Sequence, residues 1–127
     1  MRKITILIAG PPPISRIIRY LFASHPEFEV VGNQGGLKKL APRAGRLPPE
    51  LIVAAVKPVS TSVDSAVLAI KRSSPSSKLI FICSVSDFIS VALKSGADAC
   101  LEPETLLLRL LPTASALTAR SRRRTGS

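Results

Sequence analysis

Tryptophan is absent from these 127 residues, and aromatic side chains make up only 4% of them. A buried core must therefore be assembled from Ile, Leu, Val and Ala, and there is no aromatic surface on which nucleic-acid bases would stack. Acidic residues are also scarce, eight against eighteen basic ones, for a formal net charge of +10. The two cysteines, Cys83 and Cys100, are too few for a disulfide scaffold and lack metal-ligand spacing. The one histidine, His25, sits in a Ser-His-Pro stretch and reads as a turn residue. No apolar run reaches the roughly 20 residues needed to cross a bilayer. The basic start, Met1-Arg2-Lys3, leads into an alternating run that stops at Gly10-Pro11-Pro12-Pro13, not into the apolar stretch and cleavage site of a secretory signal. A cytoplasmic protein with no membrane partner is expected.

What is present is a regular alternation of short apolar runs and longer amphipathic stretches. Strands are expected at 3–9, 30–32, 51–56, 78–83 and 99–101. Three of these runs are almost continuously apolar, as happens when helices cover both faces of a sheet. Helices are expected at 14–24, 37–44, 63–73, 87–95 and 103 to about 116. In the first, Ile14, Ile17, Ile18, Leu21 and Phe22 share one face. The second is weakened by Pro42 and Gly45, the third has Ser62 available as its cap, and the last is expected to be interrupted at Pro112. Strand–helix alternation of this kind implies right-handed crossovers and a parallel sheet. The length suits a single domain over residues 1–119. Residues 120–127 hold four arginines and nothing apolar, and are expected to form a basic, disordered tail.

Six segments in order carry a family resemblance: Ile4-Thr-Ile-Leu-Ile-Ala9, Leu21-Phe-Ala-Ser-His-Pro-Glu-Phe-Glu-Val-Val-Gly32, Pro49-Glu-Leu-Ile-Val53, Ile70-Lys-Arg-Ser-Ser-Pro75, Lys78-Leu-Ile-Phe-Ile82 and Ala92-Leu-Lys-Ser-Gly-Ala-Asp98. Together they resemble the receiver domain of bacterial two-component response regulators over residues 1 to about 117. The resemblance implies an α/β, flavodoxin-like, doubly wound five-stranded parallel sheet of order 2-1-3-4-5. It also implies where an active site would be, and there the sequence departs from the family. The acidic pair after the first strand, which binds Mg²⁺ in the family, falls on Gly10 and Pro11. The phosphoacceptor Asp falls on Ala55, and the hydroxyl residue of the fourth strand on Cys83, with Ser84 next to it. The Lys after the fifth strand falls on Glu102, in a loop one residue shorter. Nucleophile, metal ligands and cationic clamp are lost together, so phosphoryl transfer has no support here. The chain is expected to be a non-enzymatic pseudo-receiver without cofactor or metal.

Other constellations are weaker. Ser60, Ser62, Ser65 and the serines of 73–77 have no base near them in sequence, and loop polarity explains them. Gly32-Asn33-Gln34-Gly35-Gly36 lacks dinucleotide-binding spacing and reads as a turn. The resemblance puts Cys83 and Cys100 at the two switch positions of adjacent strands, which leaves open a redox-sensitive pair or, as the more ordinary reading, packing residues.

The expected function is therefore a phosphorylation-independent protein-interaction and signalling module. Receivers associate through the face of the fourth helix, fifth strand and fifth helix, here residues 87–111. The candidate contacts are Leu93, Lys94, Cys100, Leu106, Leu107, Arg109 and Leu110, toward a protein partner or a second copy. Residues 106–111 carry more leucine than one core stripe requires, so part of the surplus should be exposed. The alternative is a basic nucleic-acid- or anion-binding protein on the same scaffold. Without Arg120, Arg122, Arg123 and Arg124, fourteen basic residues still face eight acidic ones, a net charge of +6. No specificity element accompanies that charge, so nucleic acid is possible but not favoured.

Overall fold

Every second residue of the central strands points to the same face of a sheet, and both faces of this sheet are apolar. A computed structural model describes residues 3–34, 40–55, 63–83 and 86–126. Five parallel strands, β1 (Ile4–Ala9), β2 (Phe28–Gln34), β3 (Leu51–Ala55), β4 (Lys78–Ile82) and β5 (Ala99–Leu101), lie in the order β2-β1-β3-β4-β5. Between them run α1 (Ile14–Ala23), α2 (Leu40–Arg46), α3 (Val63–Ser73) and α4 (Ser86–Ser95), and a 3₁₀ turn at Pro103–Thr105 leads into α5 (Leu106–Gly126). This is the flavodoxin-like, doubly wound arrangement expected of the sequence, in a single domain.

The period of two divides the core cleanly. Ile4, Ile6, Ile8, Val53, Ile80 and Ile82 join Ile18 and Phe22 of α1 and Leu106, Leu110 and Ala114 of α5. Leu7, Ala9, Ile52, Ala54, Leu79 and Phe81 face Ala44, Val63, Val67, Ile70 and Ala92 of α2, α3 and α4. The Phe22 and Phe28 rings meet edge to face, with centroids 5.0 Å apart.

Several boundaries differ from the sequence reading, each for a local reason. β2 is longer than 30–32 and includes Gly32, Asn33 and Gln34, so the turn assigned there is incorrect for those three residues. As an edge strand it pairs only with β1, which lets polar residues take part in it. α2 is short, two turns over Leu40–Arg46, as the sequence reading expects, and Pro42 does not break it, because as the third helical residue its missing N–H costs no helical hydrogen bond. Nor does Pro112 interrupt α5. Leu106, Leu110, Ala114 and Thr118, spaced by four, are all buried and hold the helix on either side of that exposed proline. The Thr118 hydroxyl adds a hydrogen bond to the Ala114 carbonyl at 2.8 Å. The backbone then stays helical through 120–126. Extending an anchored helix adds one hydrogen bond per residue and requires no new nucleus, and neither Gly nor Pro intervenes before Gly126. Ser62, the expected cap of α3, and Val56 lie outside the described residues.

The link from α4 to β5 is held by side-chain chemistry. Gly96, at φ +122°, ends α4 by donating to the Leu93 carbonyl, and Ala97 donates to that of Ala92. Asp98 then accepts from the Leu79 N–H at 2.8 Å and from Lys71 Nζ at 3.2 Å. Lys71 Nζ also donates to the Ser77 carbonyl at 2.8 Å, which consumes the Lys71 charge inside the fold.

Candidate functional site

The C-terminal ends of β1, β3, β4 and β5 converge on one edge, and the residues to which the resemblance assigns an active site lie there. Gly10 follows β1, Ala55 ends β3, Cys83 follows β4 and Glu102 follows β5. Gly10 and Ala55 lie next to one another at the ends of the paired strands β1 and β3. A Cβ built on Gly10 would lie 2.9 Å from the Ala55 carbonyl oxygen and 3.0 Å from the Ala55 Cβ, and Gly10 sits at φ +142°, where only glycine is at ease. Its N–H donates to the Gln34 carbonyl at 3.0 Å, holding the end of β1 in this position. A side chain at position 10 would therefore be strained and would run into the backbone of Ala55.

Around this contact the donor set is poor. Pro11 is half-buried and brings no side-chain oxygen. Cys83 is buried, and its N–H donates to the Leu101 carbonyl at 3.1 Å. Glu102 is hydrogen-bonded to Glu104, and this bond, then the repulsion between the two carboxylates, holds its pKa above the ordinary value. Glu102 and Glu104, with Gly10, Pro11 and Ala55 at the other positions, do not supply the several hard oxygen ligands that Mg²⁺ takes. Among the described residues no three His, Cys, Asp or Glu side chains cluster as metal ligands. Ser84 lies outside the described residues.

Cys83 and Cys100 are both free thiols, and Cys100 packs against the core cluster that contains Cys83. Burial, then Cys83, then Glu102 push the Cys100 pKa from 9.0 up to about 11. Such a thiol is protonated at neutral pH, which favours packing over redox chemistry. The folded state holds this proton more tightly than the unfolded chain does. The resulting stability is fully present below pH 9.0 and is lost as pH rises toward about 11. The urea midpoint should fall over that window in the wild type and fall less in Cys100→Ala. Iodoacetamide labelling of Cys100 in the folded protein at pH 8 should be about a hundredfold slower than that of an unfolded control.

The remaining sequence candidates separate by burial. Leu93, Lys94 and Arg109 are exposed, and Cys100 is half-buried. Leu106 and Leu110 are core side chains, so placing them on an interaction face is incorrect: they point to the sheet along the same stripe as Ala114. Leu107 and Leu108 are 76% and 82% exposed. Leu108, together with the exposed Val91 of α4, was not among the candidates. No local signal separates Leu107 and Leu108 from the core leucines, because five leucines in six residues satisfy more than one helical stripe until the sheet selects that of Leu106, Leu110 and Ala114. The two exposed leucines lie on different flanks of α5. Leu108 and Arg109 line an open groove of about 480 Å³ beside Asp98 and Ala99 of β5. Leu107 lines another of about 540 Å³ between α1 and α5. The other polar candidates are structural. Ser74 and Ser77 are buried and bonded to one another, with Ser77 also donating to the Pro49 carbonyl. His25 shapes the turn before β2, where its N–H donates to the Phe22 carbonyl. Among the described residues no helix is long and apolar enough to cross a membrane.

Solved structures share this architecture at low sequence identity. A two-component response regulator of the LuxR family from Aurantimonas sp. SI85-9A1 superposes with a TM-score of 0.81 at 16% identity, over 92% of this chain and 86% of that one. The fold is that of a response-regulator receiver domain. The non-phosphorylated receiver domain of the stress response regulator RcsB from Escherichia coli gives 0.80 at 17% identity, over 93% and 95% of the two chains. The response regulator domain of Thermotoga maritima CheB gives 0.77 at 18%, over 92% and 98%. No family model and no curated protein sequence matches the chain. The receiver fold is thus retained, while the strand-end edge carries different residues from those the resemblance calls for.

Proposed function

We propose that this chain is a phosphorylation-independent pseudo-receiver, a cytoplasmic protein-interaction module of signalling related to two-component regulators, acting by binding and not by catalysis. The observation that carries the reading is the packing of Gly10 beside Ala55. It joins the loss of the acidic residues to a backbone conformation that leaves a Cβ at position 10 no room. The output surface is the α4–β5–α5 face, where Leu108 and Arg109 line a groove beside β5 and α4 exposes Val91, Leu93 and Lys94. Asp98, which lines the groove beside Leu108 and Arg109, is already bonded to Lys71. An apolar, cationic surface of this kind suits a partner that presents an acidic amphipathic segment.

Two measurements test this. Acetyl phosphate, or beryllofluoride with Mg²⁺, should leave the amide resonances of Gly10, Ala55 and Cys83 unmoved, and a saturable shift there would contradict phosphorylation independence. In affinity capture, Leu108→Glu should lose the proteins that the wild type retains without any change in its circular dichroism. Identical capture by both would remove the α4–β5–α5 face from the reading.

A further inference from the structure

We propose that α5 grips double-stranded nucleic acid by its phosphates, independently of base sequence, through a stripe of arginines that runs from Arg109 to the C-terminal turns of the helix. This activity is separate from the protein-interaction reading, and neither depends on the other. Charge is unevenly spread along the chain: residues 105–127 hold five arginines and no acidic residue. Asp98, which lines the groove of about 480 Å³ with Arg109, is already bonded to Lys71 Nζ and to the Leu79 N–H. A basic stripe along one helix is the electrostatic footprint of a phosphate binder.

The helix sorts these arginines. Positions three and four residues apart share a face. Arg109, Thr113, Ala116, Arg120 and Arg123 are four, three, four and three apart, and Arg124 follows Arg120 by four. Arg109, Thr113 and Ala116 line the open groove, so the stripe starts on a flank of α5 that solvent reaches. Arg122 instead continues the four-residue spacing of Leu106, Leu110, Ala114 and Thr118, the buried stripe of the helix. From Arg109 to Arg123 the cationic stripe is about 21 Å long at the rise of an α-helix. A duplex presents one negative charge per about 1.7 Å of its axis, so several phosphates lie within that length.

Composition selects the occupant. An anionic membrane surface holds a helix by an apolar face as well as by charge, and residues 120–126 have no apolar side chain. Single strands are held by stacking on aromatic rings, and residues 105–127 contain none. Duplex phosphates need only cations at suitable spacing. The lack of a base-reading element, which counts against specific recognition, is what a sequence-independent grip requires.

Fluorescence anisotropy of the full chain with a labelled DNA duplex of arbitrary sequence, titrated with salt, tests the proposal. Four phosphate contacts predict that affinity falls about a hundredfold between about 50 mM and about 200 mM salt. Arg109→Gln, Arg120→Gln, Arg123→Gln or Arg124→Gln should each reduce that fall to about fortyfold, and the last three combined to about threefold. Arg122→Gln should keep the hundredfold fall, since its position lies off the stripe, whereas an unstructured basic tail would count all four terminal arginines alike. Two unrelated duplexes should bind equally, and circular dichroism verifies that each variant is folded. Three results overturn the proposal: no duplex binding at about 50 mM salt, a salt response lowered as much by Arg122→Gln as by Arg123→Gln, or tighter binding to phosphatidylserine vesicles than to the duplex.

Discussion

Gly10→Asp is expected to destabilise the protein by about 3 kcal/mol, the combined order of an unfavourable backbone region and an overpacked contact. For a domain of this size that lowers the melting temperature by on the order of 10 °C. The new Cβ would lie 2.9 Å from the Ala55 carbonyl oxygen, a backbone atom at the end of a strand paired on both sides. It has nowhere to retreat without breaking the β1–β3 ladder. Gly10→Ala should show most of the same loss, because the obstacle is the first side-chain carbon and not the carboxylate. Ala55→Gly in the Asp background removes the methyl at 3.0 Å but not the oxygen, so it should recover only part of the stability. Ala55→Asp alone buries a carboxylate in the apolar cluster of β1 and α1, and should also lower the melting temperature. Thermal unfolding with and without Mg²⁺ checks the series. A Gly10→Asp protein as stable as the wild type would mean that the strand ends part readily, and position 10 would then no longer support the pseudo-receiver reading.

Leu110→Ala should cost about 3 kcal/mol, within the range for a buried Leu truncated to Ala. Leu108→Ala, two residues earlier, should stay within about 0.5 kcal/mol of the wild type. Leu110 is fully enclosed between α5 and the sheet with Ile80 and Leu106, whereas Leu108 projects from the far side of the same helix. Urea unfolding of the two variants separates them. The functional effects should be reversed: Leu108→Ala keeps the fold and weakens partner capture, and Leu110→Ala loses stability through the core that supports both flanks of α5. Equal stability losses would place Leu108 in the core and remove it from the proposed face.

The parallel sheet was legible because its central strands are short, continuous apolar runs separated by amphipathic stretches, and β3 and α3 begin where that pattern begins. β2 was read too short because Asn33 and Gln34 are not strand-like, and an edge strand tolerates them. The strand-end site was legible only as a substitution of residue types: Gly10, Pro11, Ala55, Cys83 and Glu102 stand where the resemblance calls for other chemistry. That Gly10 and Ala55 lie side by side, and that Glu102 bonds to Glu104, lies in no local pattern.

The sequence by itself determined the α/β alternation, the two apolar faces of the central strands and the shortage of carboxylates, since each follows from residue type and short-range period. Tertiary structure alone decided which leucines of α5 are buried, because five in six residues satisfy any helical stripe until the sheet selects Leu106 and Leu110. It also decided that Pro112 would not end the helix, through the buried Ala114 and Thr118 beyond it. Finally, it decided that the strand ends would meet at Gly10 and Ala55, forty-five positions apart in the chain. Contacts at such separation are set by how whole elements pack, and the residues that make them carry no mark of it in their own neighbourhoods.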